Sequence, residues 1–402
     1  MTEEKYTPTP FTEAELMPQE EKLEVLKSKS ELFIGIPKEV HFQENRICLT
    51  PDAVATLTAH GHRIMLEAGA GAGARYSDKQ YSDAGAQIVR DRAKVFGCPV
   101  ILKVEPPAPD EIDMMNPQAV LLSALQLKTR DRSYFRLLAQ KRITAIGYEF
   151  IQDDTNNYPA VTALSEIAGN ASILIAAELI SHHQNGNGIL FGNISGVPPV
   201  EVVILGAGCV GEHATRTALA MGASVKVFDH STTRLRRLQA TLTRPVYTST
   251  IEPKNLAKAL RRADVAIGAI KGEHRAPVIV SEEMVMGMKK GSIIIDVSID
   301  MGGCFETSEL TSHKSPTRIA HNVIHYGVPN ISSRYARTAS MSISNIFAPY
   351  LLEMAEHGGL EHFIRHNKGF KNGLYFYHGI LTNRSIAQWF DLPYNDPNLL
   401  IF

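Results

Sequence analysis

The sequence predicts an α/β protein: two doubly wound domains joined by two long helices, with a cleft between the domains. Three observations carry that expectation. Short apolar runs alternate with helical stretches from Leu32 to about residue 150, a second alternation of the same kind starts near Val200, and two long helical stretches bracket the second series. In the first series LFIGIP, HRIMLEAG, PVILKV, AVLLSAL and TAIGYEF read as strands, with PDAVATLTAHG and RDRSYFRLLAQKR as helices between them. Such alternation calls for a parallel sheet with helices on both faces. A helix at 163–184 (ALSEIAGNASILIAAELISHHQ) then runs to the turn QNGNG. The second series reads VEVVILGAG, SVKVFDH, ADVAIGAI and GSIIIDVS, and a second long helix, 338–357, is stopped by Gly358-Gly359. The chain thus divides into an extension at 1–31, a first domain at 32–162, a second at 163–337, and a return to the first at 338–402. The extension carries charge and proline with little apolar periodicity, and has room for one short helix near 18–28.

Bulk properties narrow the function classes. The 402 residues are 44% hydrophobic, enough for sizeable cores, and Lys+Arg 41 against Asp+Glu 42 leaves a formal charge of −1. Nothing there steers a polyanion to the surface, so nucleic acid is not an expected partner. Cys48, Cys98, Cys209 and Cys304 lie far apart without C-x-x-C spacing, which speaks against a disulfide framework or a zinc site and for reduced thiols in a cytoplasm. His182-His183 lacks acidic or cysteine partners at ligand spacing, so no metal is expected. No stretch approaches the about 18 consecutive apolar residues of a membrane span, and the acidic N-terminus does not read as a signal peptide.

The stretch EVVILGAGCVGEHATRTALAMGASVKVFD (201–229) has the parts of a dinucleotide-binding unit in order. A strand enters Gly206-Ala207-Gly208-Cys209-Val210-Gly211 and a helix follows. The first glycine permits the tight turn, the second lets backbone N–H groups approach a pyrophosphate, and the third lets helix pack on strand. The helix N-terminus adds partial positive charge. A second strand ends in Asp229, placed to take both ribose hydroxyls and to repel a 2′-phosphate, which favours NAD over NADP.

Beyond that unit, IGIPKEVHFQENRICLTP (34–51), AGAGAGARYSDKQYSDAGA (68–86), ILKVEPP (101–107), LSEIAG (164–169), GVPPVEVVILGAGCVG (196–211), DVSIDMGGCFETS (296–308) and HYGVPN (325–330) resemble the alanine dehydrogenase and transhydrogenase α-subunit family, its alanine dehydrogenase side most of all. The resemblance spans about 32–392. It implies two Rossmann-like domains, a substrate domain and an NAD-binding one, a homo-oligomer (a hexamer by analogy), and reversible NAD-dependent oxidative deamination of a small L-amino acid, alanine first. Arg46 and Lys103 would hold a 2-oxo or 2-amino acid together with Asn330, and Ser165, Val210 and Ile270 would join the glycines and Asp229 around NAD.

Physical reasons stand beside the likeness. A carboxylate needs a fixed cation, and arginine matches it with two prongs. Lys103 ends an apolar strand on the rim where α/β sheets place ligands. Asp300 falls just past GSIIIDVS, and amine oxidation needs a group to take a proton and activate water. Asp296, within the strand, reads as a structural acid, with Gly302-Gly303 letting the backbone turn. Two departures matter. Gln126 in SALQLKT stands where the family's dehydrogenases have a histidine, and SSRYARTAS (332–340) replaces a proline-glycine segment. An amide donates a hydrogen bond but does not exchange protons near neutrality. Three outcomes stay open: Asp300 handles every proton transfer, the substrate is a different acid, or only nucleotide binding survives. A transhydrogenase-like hydride transfer and a non-catalytic NAD-binding protein are the rival functions. Cys304, Lys128 and His325 lie near the site as packing or surface groups.

Overall fold

A computed structural model describes residues 30–41, 43–181, 186–272 and 275–401, excluding the side chain of Lys128. The extension with its short helix, and His182-His183, fall outside them.

Two sheets organise the chain. The first contains β1 (Phe33–Ile36), β2 (Arg63–Glu67), β3 (Gln87–Val89), β4 (Val100–Leu102), β5 (Val120–Ser123) and β6 (Thr144–Gly147), joined late in the chain by β14 (Leu374–Tyr377) and β15 (Ile380–Leu381). Its spatial order is β15-β14-β6-β5-β4-β1-β2-β3. β1 to β6 pair in parallel, and β14 and β15 add antiparallel. The second sheet contains β7 (Glu201–Leu205), β8 (Ser224–Phe228), β9 (Tyr247–Ser249), β10 (Val265–Gly268), β11 (Ile293–Asp296), β12 (Thr317–Ala320) and β13 (Val323–Tyr326), in the order β12-β13-β11-β10-β7-β8-β9. Only β12 runs antiparallel to its neighbour. Six parallel strands in each sheet follow the 3-2-1-4-5-6 order of a doubly wound fold, with the switch point between β1 and β4 in one and β7 and β10 in the other.

Covering both faces explains the unbroken apolar runs. Val202 and Ile204 enter one core while Val203 and Leu205 enter the other, and Ile101 and Leu102 divide likewise in the first sheet. The first long helix is Pro159–Leu179, opening on proline at its first turn, and the second is Ala336–Glu356. They begin four and two residues before the expected bounds, and the first ends at Leu179 where 184 was expected. Pro159–Leu179 is apolar and long enough, by length and composition, to cross a membrane. Ser165, Glu166 and Asn170 interrupt its apolar run, so a count of consecutive residues passes over it. Ala168, Ile173, Ala176 and Leu179 of this helix pack into the second sheet's core.

Every candidate residue except Ser165, which lies on Pro159–Leu179, follows the carboxyl end of a parallel strand: Arg46 after β1, Lys103 after β4, Gln126 after β5, Gly206 after β7, Asp229 after β8, Ile270 after β10, Asp300 after β11 and Asn330 after β13. Both sheets therefore present their ligand-binding edges.

Candidate active site

The glycine loop has the spacing its sequence promised. Gly206 sits at φ +109°, and a Cβ there would lie 2.4 Å from the Ala269 carbonyl, so only glycine lets β7 leave beside β10. At Gly211 a Cβ would come within 1.8 Å of the Gly206 carbonyl, while at Gly208 it would meet nothing within 4 Å. The open side of Gly208 faces the N-terminus of helix Cys209–Ala220, where an approaching anion needs room. Ile270 is buried against Gly206, and Val210 abuts the first long helix, whose Gly169 admits the Val210 carbonyl. Ser165 lies half-buried on that helix. These residues fit a dinucleotide. Asp229, 1% exposed, already accepts from the N–H groups of Ala207 and Ser231, both at 2.7 Å, so it braces the glycine loop, and a ribose would have to share its oxygens.

A second cluster draws from both domains. Arg46 donates through Nε and Nη2 to the two oxygens of Glu44 at 2.8 and 2.6 Å, through Nη2 to Glu105 at 3.3 Å, and through Nη1 to the Ser332 hydroxyl at 3.1 Å. The Gln126 amide donates to Glu105, and the Asn330 amide donates to Glu44 at 2.5 Å and Glu105 at 3.5 Å. Gln126 and Asn330 both adopt left-handed backbone, at φ +48° and +56°, conformations that cost side-chain-bearing residues free energy and gather at functional sites. The Glu149 carboxylate holds the first by accepting from the N–H groups of Leu125 and Gln126 at 2.8 and 3.1 Å.

What holds Arg46 in place is a row of hydroxyls. Ser333 accepts from the Asn45 N–H at 2.9 Å, Ser340 from Ile47 at 2.9 Å and Ser344 from Thr50 at 3.0 Å. The unexpected segment SSRYARTAS thus supplies Ser332 to the guanidinium and Ser333 and Ser340 to the backbone around it.

Asp300 sits on the single turn Val297–Met301. Its side chain is accessible by area, yet the surrounding walls desolvate it: burial pushes its carboxyl up to about 6, against the pull of the Asn330 N–H and the Arg46 charge. Asp296 behaves as the structural acid expected. It accepts from the N–H groups of Ser298, Cys304 and Phe305 and from the Ser308 hydroxyl, at 3.1, 2.9, 3.3 and 2.7 Å. Gly302 and Gly303 take φ +95° and +75°, closing the turn.

Lys103 departs from the expectation. Its side chain is fully buried and its ammonium is held by Glu39 at 2.9 Å and Glu111 at 3.4 Å. Burial works against its charge, but those two carboxylates outweigh it and raise its pKa. β4 ends at Leu102 and the chain bends at Val104-Glu105, so Lys103 stays with Glu39 and Glu111 while Glu105 reaches Arg46. Glu105 is the functional candidate that sequence reasoning missed. Burial and its bond to Glu44 push its carboxyl up to about 8, whereas at Glu44 the Arg46 charge overcomes burial and holds the acid far below its ordinary value. His313 was missed too. Its Nε2 is buried without a partner near Asn330, Glu44 and Arg46, and burial lowers its pKa.

Family models match both halves: the N-terminal domain of alanine dehydrogenase/PNT over residues 35–168 and the C-terminal domain over 172–384. The chain belongs to the alanine dehydrogenase/PNT family. An alanine dehydrogenase of Methanococcus maripaludis is 38% identical over 367 residues, which cover 90% of this chain and 98% of the relative. Alanine dehydrogenase 2 of Staphylococcus aureus is 36% identical over 364 residues, 90% and 97% of the two chains. Among solved structures an L-alanine dehydrogenase superposes with TM-score 0.84 at 35% identity, over 90% of this chain and 99% of that one. A transhydrogenase from Sinorhizobium meliloti, at TM-score 0.74 and 23% identity over 88% and 99%, shares the fold.

Residues outside the cluster have structural roles. His325 bonds Thr307 at 2.8 Å within the second sheet, and Cys304 is buried beside Asp296. Among the described residues Glu166, Cys209 and His213 bring donor atoms within 4.8 Å of one another. Burial and the neighbouring Glu166 and Glu212 push the Cys209 thiol up to about 11, which works against the thiolate that a metal would need.

Proposed function

We propose that this chain is an NAD-dependent amino-acid dehydrogenase of the alanine dehydrogenase type, interconverting a small L-amino acid, alanine first, with its 2-oxo acid and ammonium. Supporting it is the meeting of Arg46, Gln126, Asn330 and Asp300 in one cleft, with Asp300 and Asn330 at the carboxyl edge of the sheet that carries the glycine loop. NAD, when bound, supplies the hydride acceptor. Arg46 and the Asn330 and Gln126 amides orient the acid's carboxylate and carbonyl. Asp300 takes the ammonium proton of the amino acid, passes it to solvent, and then draws a proton from the water that attacks the imine carbon, so it must be ionised for deamination, a state reached above about pH 6. Gln126 orients but moves no proton. Lys103 enters as a strut that fixes the segments carrying Glu39 and Glu111. In this reading 32–162 with 338–402 form the substrate domain and 163–337 the NAD domain, Asp229 favours NAD over NADP, and the subunits form a homo-oligomer, a hexamer by analogy. The four free thiols support a cytoplasmic setting.

The test is NADH oxidation with ammonium and a panel of 2-oxo acids headed by pyruvate, repeated with NADPH and with Gln126→His. Saturable turnover with one acid establishes the dehydrogenase and names its substrate. NADH binding without turnover, and activity only in Gln126→His, would replace it with a nucleotide-binding protein.

A further inference from the structure

We propose that Glu105 decides whether a carboxylate can occupy the cleft: the 2-oxo or 2-amino acid binds the form of the site in which Glu105 carries a proton. The proposal rests on the dehydrogenase reading and deepens it.

The donors of Arg46 set the problem. Four of the five guanidinium N–H groups have protein acceptors, two oxygens of Glu44, one of Glu105 and the hydroxyl of Ser332, which leaves one N–H on Nη1. Glu44 alone neutralises the arginine, so an ionised Glu105 makes the cluster net negative before any ligand arrives. A second anion, the substrate's own carboxylate, then meets repulsion in a buried site, where like charges are costly. With Glu105 neutral the cluster has no net charge. The guanidinium and the amides of Gln126 and Asn330, both now aimed at Glu105, become available to the incoming carboxylate, and the protonated acid adds a donor of its own.

Burial at 1% exposure and the bond to Glu44 keep Glu105 protonated near neutrality. The other charged and titratable groups facing this cluster are Glu39 and Glu44 from the segment after β1, Lys103 on Glu105's own segment, Tyr148 and Glu149 beside the Gln126 loop, and Asp300 and His313 from the second domain. Asp300 changes charge near 6 and His313 below its ordinary value, so both titrate on the acid side of Glu105. Glu39 is tied to Lys103, and burial raises Tyr148 well above its ordinary value. Burial raises Glu39 and Glu149 as well, so over about pH 7.5 to about 9.5 it is the comparison with Glu105→Gln that separates Glu105 from them.

Pyruvate is titrated into the NADH-loaded protein without ammonium, so that no turnover occurs, using wild type and Glu105→Gln across that interval. In wild type the Kd should rise toward about tenfold per pH unit above about 8, and in Glu105→Gln it should stay within about twofold. Calorimetry of wild type alone, in two buffers of different ionisation enthalpy, should show about one proton taken up per pyruvate at about pH 9. Equal slopes in the two proteins, or no proton uptake, would overturn the role of Glu105 while leaving the dehydrogenase intact. No 2-oxo acid binding to either protein at any pH, with NADH still bound, would overturn both.

Discussion

Replacing Lys103 with methionine separates a substrate lysine from a buried strut. The substitution keeps an unbranched apolar stem and deletes the ammonium that sits 2.9 Å from Glu39 and 3.4 Å from Glu111. Breaking a buried ion pair by removing one partner costs about 3–5 kcal/mol. Glu111 keeps Arg92 as a partner, and Glu39 still accepts the Val104 N–H at 2.7 Å, so the lower end, about 3 kcal/mol, applies. For a domain of this size that corresponds to a fall in Tm of about 6–12 °C. Scanning calorimetry without ligand measures it, and the pyruvate KM of the same protein should move by less than about threefold. Adding Glu39→Gln should restore much of the stability, because the stranded carboxylate is gone. An unchanged Tm with a KM raised about a hundredfold would refute this account and put the ammonium on the substrate.

Other substitutions address the remaining parts of the site. Asp300→Asn should lower kcat by about 10²–10⁴ without shifting the melting temperature, and wild-type deamination should rise as pH passes through about 6, following loss of the Asp300 proton. Gly208→Ala should leave stability unchanged, since the new methyl meets nothing within 4 Å, while weakening NADH by about tenfold or more in a fluorescence titration. Gly211→Ala, by contrast, drives a methyl into the Gly206 carbonyl and should impair folding itself, measured as soluble yield and Tm. Asp296→Ala strands three N–H donors and one hydroxyl and should cost about 3 kcal/mol or more in chemical denaturation.

What could be read from sequence was what neighbouring residues decide among themselves. The glycine loop, the helix behind it and Asp229 lie within one continuous stretch whose spacing expresses backbone geometry. The alternation of strands and helices is equally local. The edge strands β3 and β9 escaped because, partly exposed, they show no apolar run, and β14 pairs with β6 only after the chain has built another domain. The exchange of Lys103 for Glu105 escaped for a related reason. Beyond the strand end the chain bends at Val104-Glu105, so side chains two apart no longer share a side, and a cation on a rim shows nothing of its partner at Glu39, 64 positions away. Glu105 and Asn330 meet across 225 positions.

The hydroxyl row has a consequence for how the chain tolerates change in length. Ser340 and Ser344 stand one helical turn apart, with Ser333 two turns before, and each meets a backbone N–H of the extended residues 45–50. Helix and extended segment advance by different distances per residue, so the three matches hold in one alignment only. Inserting or deleting a single residue between Ile47 and Thr50, or between Ser333 and Ser344, would misplace the arginine although neither edit touches a substrate group. Loops elsewhere can lengthen and shorten, whereas here two stretches nearly three hundred residues apart are locked to each other's count.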